Sequence, residues 1–408
     1  MSVLSTSISP GNPVKKEDAN QLLQKLGLSV SPEEEDDFNM LLAAVHDCAE
    51  TISNLPDYQP SPGLKRYPRQ NVRRPSPEEQ AFGQAWAHNL KDTIAVAGVP
   101  QLLGSDIIPS WTPITDATVN YCHSTLSYTS AQGIVENPHA SGYSAGGSTS
   151  GGAALVDITF GGDQGGSIRV PASCCGCVGL KPTYGLVPYT GIASGDAIND
   201  HAGPIARSPL DVALCLDAIC GYDGIDDRCL GSPRHGSTSY AEDLRSAPDR
   251  LDGLRVGYPK DGLHMTGMWR ERLPWTADGF QRAFPSTKNV IINGLYLTSQ
   301  FPDLYGKTIK IGRKLRDLYE ELFQAYDVVV VPTTPVVAPR YGARGLPIET
   351  LKPSTGLTIK TAIFDVTGHP AMSIPVGLIV GGLWQEAKVL RVGHAWEKHF
   401  DWTKQHAD

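Results

Sequence analysis

Between Gly142 and Ala172 the chain reads GYSAGGSTSGGAALVDITFGGDQGGSIRVPA, with four Gly-Gly pairs set among serines. Glycine loses more conformational freedom on folding than any other residue. The pairs at Gly146-Gly147, Gly151-Gly152, Gly161-Gly162 and Gly165-Gly166 therefore weaken any structure unless the backbone must approach a ligand closely. Backbone amides exposed by such turns are good donors to a developing oxyanion. A flexible Gly/Ser linker lacks apolar residues like Ile168, Val170, Val178 and Leu180, which run through and beyond this stretch. The segment points to catalysis.

Composition narrows the class. With 408 residues the chain can bury a large core, and a formal charge of −8 with a pI near 5.8 gives no basic footprint for nucleic acid. Met1 to Pro10 is Ser-rich without a basic-then-apolar leader, and no apolar run is long enough to cross a bilayer. Eight cysteines in a chain this size are too dilute for a disulfide scaffold, and no N-x-[ST] sequon occurs. A cytoplasmic enzyme with no membrane partner is expected. Cys174-Cys175-Gly176-Cys177 is the densest thiol cluster, yet no second CxxC or HxxxH completes a tetrahedral site, so these read as buried apolar thiols. No metal and no cofactor are expected.

Local patterns place the elements. Ser31-Pro32-Glu33-Glu34 is a capping box with proline at the first helical position, followed by Phe38, Leu41, Leu42 and Val45 at helical spacing. Pro60 to Pro75 is proline-rich and basic, as a linker wrapping a domain surface would be. Ser208-Pro209-Leu210-Asp211 opens a capped helix through Ile219, and a helix over Lys314 to Phe323 feeds the short strand Val328 to Val331. Helices alternating with short β-branched runs give an α/β fold. The expected division is an N-terminal helical arm and linker over 1–78 and a catalytic domain over 79–408.

Gly146-Gly147-Ser148-Thr149-Ser150-Gly151-Gly152 and Gly162-Asp163-Gln164-Gly165-Gly166-Ser167-Ile168-Arg169-Val170-Pro171-Ala172 resemble the two loops that mark the amidase signature family. Cys175 to Pro188 and Phe364 to Ala371 extend the likeness, and Lys91-Asp92 to Pro100 resembles the family's lysine element. Tyr184 to Ile192 and Asp200 to Arg207 resemble the small-molecule amidases that work beside nitrile hydratases. So does Gln164, where the family member serving tRNA amidotransfer usually has threonine. The resemblance sharpens the fold to a large mixed β-sheet flanked by helices. It also allows a homodimer.

The resemblance implies the roles. Ser167 is the nucleophile. Ser148, following a cis bond from Gly147, passes its proton to Lys91, which burial without a carboxylate partner would keep neutral. The amides of Gln164, Gly165, Gly166 and Ser167 would hold the oxyanion. The substrate is then a small carboxamide, released as acid and ammonia or amine. His123, His201 and His369 read as structural or pocket-lining because the lysine already supplies the base, and a Ser-His-Asp hydrolase is disfavoured because no G-x-S-x-G elbow is expected.

Against the family pattern, Ser148 and Ser167 stand only 19 positions apart. The joins before Lys91, at Val119-Asn120 and at Gly382-Leu383 also look shortened, and so does Thr276 to Asn293. The expectation between the serines is a truncated helix ahead of an intact strand at Asp157 to Phe160. A second reading follows, an amidase-like chain without turnover, whether a degraded relative or the product of an incomplete gene, in which Ser148 is not placed between the other two.

Overall fold

The computed structural model describes residues 8–56, 125–128, 134–155, 157–190, 192, 195–248, 250–257, 276–342, 345–375 and 377–401. The expected linker Pro60 to Pro75, the Lys91 element, His123 and the joins near Trp86 and Val119 lie outside the described residues. The strands are β1 (Glu136–Asn137), β2 (Ala140–Ser144), β3 (Ile158–Asp163), β4 (Val178–Lys181), β5 (His201–Ala206), β6 (Val256–Gly257), β7 (Val328–Val331), β8 (Ala371–Ile374) and β9 (Gly377–Gly381). The earlier helices are α1 (Asp18–Gln24), α2 (Pro32–Ser53), α3 (Ser150–Leu155), α4 (Arg169–Cys175), α5 (Pro209–Ile219) and α6 (Tyr240–Ser246). The later ones are α7 (Ala277–Arg282), α8 (Pro285–Gln300), α9 (Leu304–Ala325), α10 (Pro347–Leu351), α11 (Ala362–Thr367) and α12 (Glu386–His399).

Among the described residues one mixed sheet runs in the order β3-β5-β4-β8-β9-β7-β6, antiparallel except for the parallel pair β6 and β7. Side chains of a strand alternate between faces, and here both faces are buried. Val328, Met372, Ile374 and Ile379 join a core with α5, α6 and α12. Their neighbours Val329, Val331, Ala371, Leu378 and Val380 join a second core with Leu315 of α9 and with Ile363 and Phe364 of α11. A strand covered on both faces needs no polar positions, which explains the unbroken valine run of β7. The α/β expectation of a mixed sheet flanked by helices holds.

The expected caps are present. The Glu34 side chain reaches back to the Ser31 amide at 3.4 Å, and Ser208 Oγ accepts from the Asp211 amide at 3.1 Å, opening α5 at Pro209 and closing it at Ile219. α9 begins ten residues before the expected Lys314, at Leu304. Its sequence alternates charge and apolar residues at helical spacing over the whole of that stretch, so the amphipathic pattern extends further than its strongest part.

The N-terminal helices are built into the body. Phe38, Leu41 and Leu42 of α2 and Leu22 and Leu23 of α1 share a core with Phe280 of α7, Ile292 and Tyr296 of α8 and Leu351 of α10. Lys288 of α8, almost wholly buried, donates to both carboxylate oxygens of Glu34 at 2.9 and 2.8 Å. His46 Nδ1 and Tyr296 Oη meet at 2.8 Å.

Between the two loop serines α3 spans six residues, and β3 begins at Ile158, one residue after the expected Asp157, with Ile158 exposed and the rest of the strand buried. At the other shortened join, β9 ends at Gly381 and α12 begins at Glu386. The chain turns there through Trp384 at φ 62°, a left-handed conformation that costs a side chain about 1–2 kcal/mol.

Truncation of Phe38 tests how far the arm folds with the body. Phe38→Ala is expected to destabilise the main unfolding transition by about 3–5 kcal/mol, read by denaturant titration with far-ultraviolet circular dichroism. An unmoved main transition with a new minor one would show that α1 and α2 unfold on their own.

Candidate active site

The site is assembled at one edge of the sheet. β2 ends at Ser144 and hands the chain to the loop Ala145–Thr149, in which the Gly147–Ser148 peptide is cis, as the resemblance implied. β3 ends at Asp163 and hands it to the loop Gln164–Ile168, which enters α4 at Arg169. The two loops touch: the Thr149 amide donates to the Ser167 carbonyl at 3.3 Å.

Missing side chains allow that approach. A Cβ on Gly146, whose φ is +74°, would stand 2.8 Å from the Pro171 Cα, and one on Gly166, at φ +137°, would stand 2.5 Å from Thr361 Oγ1. Both positions demand glycine for conformation and for space. Part of the glycine signal is therefore backbone meeting backbone, where the sequence pattern suggests backbone meeting ligand.

Beneath the loop lies a cluster of buried charge. Asp163 Oδ1 accepts from the Gly166 amide at 2.5 Å and from Gly165 at 3.3 Å, while Oδ2 accepts from Ile168 at 3.0 Å and Arg169 at 3.4 Å. The Arg169 guanidinium binds both oxygens, with Nε to Oδ2 at 2.9 Å and Nη2 to Oδ1 at 2.8 Å. It also reaches Asp365 Oδ2 of α11 and the Thr361 carbonyl, each at 2.8 Å. Thr361 Oγ1 in turn donates to the Gly165 carbonyl at 2.5 Å. α11 thus holds the loop from outside by two routes.

The electrostatics follow from depth. Burial works against the Asp163 carboxylate, but Arg169 and the loop amides overcome it and hold the group well below the usual carboxylate range. Burial pushes the Asp365 carboxyl up, with Asp163 adding to the rise. Lys181, at the end of β4, is wholly buried, donates to the Pro182 carbonyl at 2.9 Å, and is lowered by burial to about 7. His201, the register partner of Asp163, donates from Nδ1 to the Asn199 carbonyl at 2.9 Å and is lowered by burial and by Lys181. Its Nε2 is buried without a hydrogen-bond partner among the described residues, whereas both ring nitrogens of His369 are engaged, by Thr367 and Glu320 at 2.9 Å each.

Ser148 Oγ is buried with no hydrogen-bond partner among the described residues. Ser167 is half-buried on the neighbouring loop. The structure therefore brings the Ser148 and Ser167 loops together, and Lys91 lies outside the described residues. Of the expected oxyanion donors, the Gly166 amide is drawn onto Asp163, the Gly165 amide more weakly, and Gln164 faces a cleft. Contrary to the expectation that no elbow occurs, Gly142-Tyr143-Ser144-Ala145-Gly146 does spell the G-x-S-x-G pattern. Its Ser144 Oγ, however, is buried and accepts from the Ser127 and Gly146 amides at 3.1 Å each, a structural assignment.

Sequence reasoning places Asp163, Lys181 and Asp365 inside its motifs without giving them roles. The available signal was their ionisable side chains within otherwise apolar or Gly-rich motif segments, while their burial is visible only in the structure. The thiols behave as expected, since burial pushes Cys174 and Cys177 up to about 12. Among the described residues one group, His46, Asp47 and Glu50, has ligand spacing for a metal. Its Asp47 is engaged by Ser9 and Asn12, and it sits on α2, away from the serine loops.

Comparison with known proteins gives the family and the fold. The family model described as Amidase matches residues 120–269 and 275–383, a span that holds Ser148 and Ser167 and begins after Lys91. An enantioselective amidase of Rhodococcus rhodochrous is 31% identical over 406 positions, covering 74% of this chain and 77% of the relative. That alignment is much longer than the share of the 408 residues it takes up, so many of its positions fall opposite gaps in this chain. A glutamyl-tRNA(Gln) amidotransferase subunit from Methylococcus capsulatus is 28% identical, covering 76% of this chain and 82% of the relative. The fold is that of the peptide amidase of Stenotrophomonas maltophilia, with a TM-score of 0.56 at 22% identity, covering 76% of this chain and 81% of that one. Among the described residues no helix is long and apolar enough to cross a membrane.

Replacing Asp163 by Asn removes the charge that offsets Arg169 and is expected to cost about 3–5 kcal/mol at neutral pH. The folded-state pKa of Asp163 lies below its unfolded value. Its stabilisation is therefore complete above the ordinary value near 3.8 and lost as pH falls below it. Denaturant midpoints measured from pH 7 to pH 2 should fall less steeply in Asp163→Asn than in the parent. Parallel curves would contradict the assignment.

Proposed function

The chain belongs to the amidase family of amide-hydrolysing enzymes, and from that premise we propose that it converts a small carboxamide to a carboxylic acid and ammonia or amine through Ser167, Ser148 and Lys91. Ser167 Oγ attacks the amide carbonyl carbon while its proton passes to Ser148 Oγ, whose own proton moves to the neutral Lys91 amine. The tetrahedral oxyanion draws on the amides of Gln164, Gly165, Gly166 and Ser167, competing with Asp163 for Gly166. The C–N bond then breaks as the proton returns through Ser148 to the leaving nitrogen, leaving an ester on Ser167. Water attacks that ester by the same relay and releases the acid.

The single observation that carries this reading is the buried Ser148 Oγ, unpartnered among the described residues, on a loop that is hydrogen-bonded to the carbonyl of Ser167. A buried hydroxyl left without a partner costs free energy, and a role in chemistry is one reason for a fold to keep such a group. Gln164 favours a small amide over the amidotransferase role of the Methylococcus relative. No metal or cofactor enters the scheme. The alternative is an amidase-like chain without turnover, since α3 between the serine loops is only six residues long.

Fluorophosphonate labelling of the purified chain separates the two. Label is expected on the peptide holding Ser167 and absent from Ser167→Ala, while Ser148→Ala and Lys91→Met should lower amide turnover by about 10²–10⁴. In the parent kcat/KM should rise with pH as Lys91 loses its proton. Full turnover in Lys91→Met, or a parent that resists the label while folded, would remove the relay.

A further inference from the structure

A cleft of about 390 Å³ opens at Gln164, three residues before the proposed nucleophile, a volume suited to a small organic molecule. It is bounded by Val366 of α11, by the loop carrying Asn199, and by a stripe of α9 that includes Ile309 and Arg316. Gly312, one turn before Arg316, lets α9 close onto α11, because a Cβ there would stand 2.7 Å from Val366 Cγ1.

Arg316 is the unusual group in this cleft. Its Nε donates to the Thr367 carbonyl at 2.7 Å, which fixes the guanidinium and leaves both Nη atoms for other partners. The acids nearest on its own helix are engaged elsewhere, Asp317 with Arg313 and Glu320 with His369, each at 2.9 Å. No carboxylate among the described residues lies within ion-pair reach of Arg316. Asp196, the acid in the cleft wall, accepts from Asn199 at 2.8 Å and from Ile198 and Tyr305 at 3.3 Å each. Burial, and then the adjacent Arg313, hold Arg316 below its ordinary value against the opposing pull of Asp317 and Glu320. An arginine fork nonetheless stays charged at any physiological pH and matches a carboxylate in two parallel hydrogen bonds.

We propose that the cleft selects amides that carry a carboxylate at the end remote from the reacting carbonyl, with Arg316 clamping that carboxylate and Val366 and Ile309 lining the path of the methylene spacer. The inference rests on the amide-hydrolase reading of Ser167. It makes Arg316 a specificity-determining residue for that reaction.

The probes are glutaramate, a five-carbon monoamide with a terminal carboxylate, and pentanamide, its neutral counterpart of equal length. Calorimetric titration of the full-length Ser167→Ala chain needs no turnover, and glutaramate is expected to bind about ten- to hundredfold tighter than pentanamide. Arg316→Leu in the same background should bring the ratio close to one, and Arg316→Lys should keep part of the preference. Equal binding of the two probes, or no binding of glutaramate at millimolar concentration, overturns the proposal, and neither observation depends on the folding of an Arg316 variant. A preference that survives in folded Arg316→Leu overturns it as well. Fluorophosphonate labelling of the parent keeps the two readings apart. A labelled chain indifferent to the carboxylate retains the hydrolase and loses the clamp, and an unlabelled chain with an Arg316-dependent preference does the reverse.

Discussion

The carboxylate of Asp163 sits at the end of an edge strand with no access to water, and the loop after it is shaped by what that carboxylate binds. A lone charge at this depth would be neutralised or expelled, because taking an ion out of water costs several kcal/mol even after relaxation. Here the cost is offset by three loop amides, the first amide of α4 and a two-pronged arginine, so that fixing the charge and fixing the loop are one event. The arginine is buried as well and needs a second counter-charge, supplied by Asp365 from a helix 196 residues further along the chain. The position of Ser167 is thereby tied to the position of α11, and α11 is tied to the sheet through Ile363 and Phe364.

The same economy of space governs the second serine. Gly146 lets its loop rest on the backbone of Pro171, and Gly161 leaves room for Thr149, whose hydroxyl would lie 2.5 Å from a Cβ at that position. Between these contacts the chain has only a six-residue helix, yet β3 pairs with β5 along its whole length from Ile158 to Asp163. Strand pairing is cooperative and delivers Asp163, whereas a short helix on the surface can lose a turn at the cost of its own contacts. The helix that follows the Ser148 loop is therefore short, while the strand that leads to Ser167 is paired throughout. The sharp turn through Trp384 shows a second place where a brief connection is absorbed by unusual backbone geometry.

What the sequence by itself determined is local. Ser31 and Ser208 announce the starts of α2 and α5 because a capping side chain acts on amides two or three residues away, and the Val328 to Val331 run announces a short strand. Ser148 and Ser167 are legible because glycine clustering is costly enough to mark a loop, and the assignment of Lys91 remains one of sequence, its residue lying outside those described. Only the tertiary structure decided which glycines meet backbone, that Asp163 accepts from the Gly166 amide, that Lys181 and His201 are buried beside the same carboxylates, and that Arg316 faces a cleft starting at Gln164. These are meetings between residues far apart in the chain. No periodicity or cap records them, because their free energy exists only once the sheet has brought α9 and α11 against the loop that follows β3.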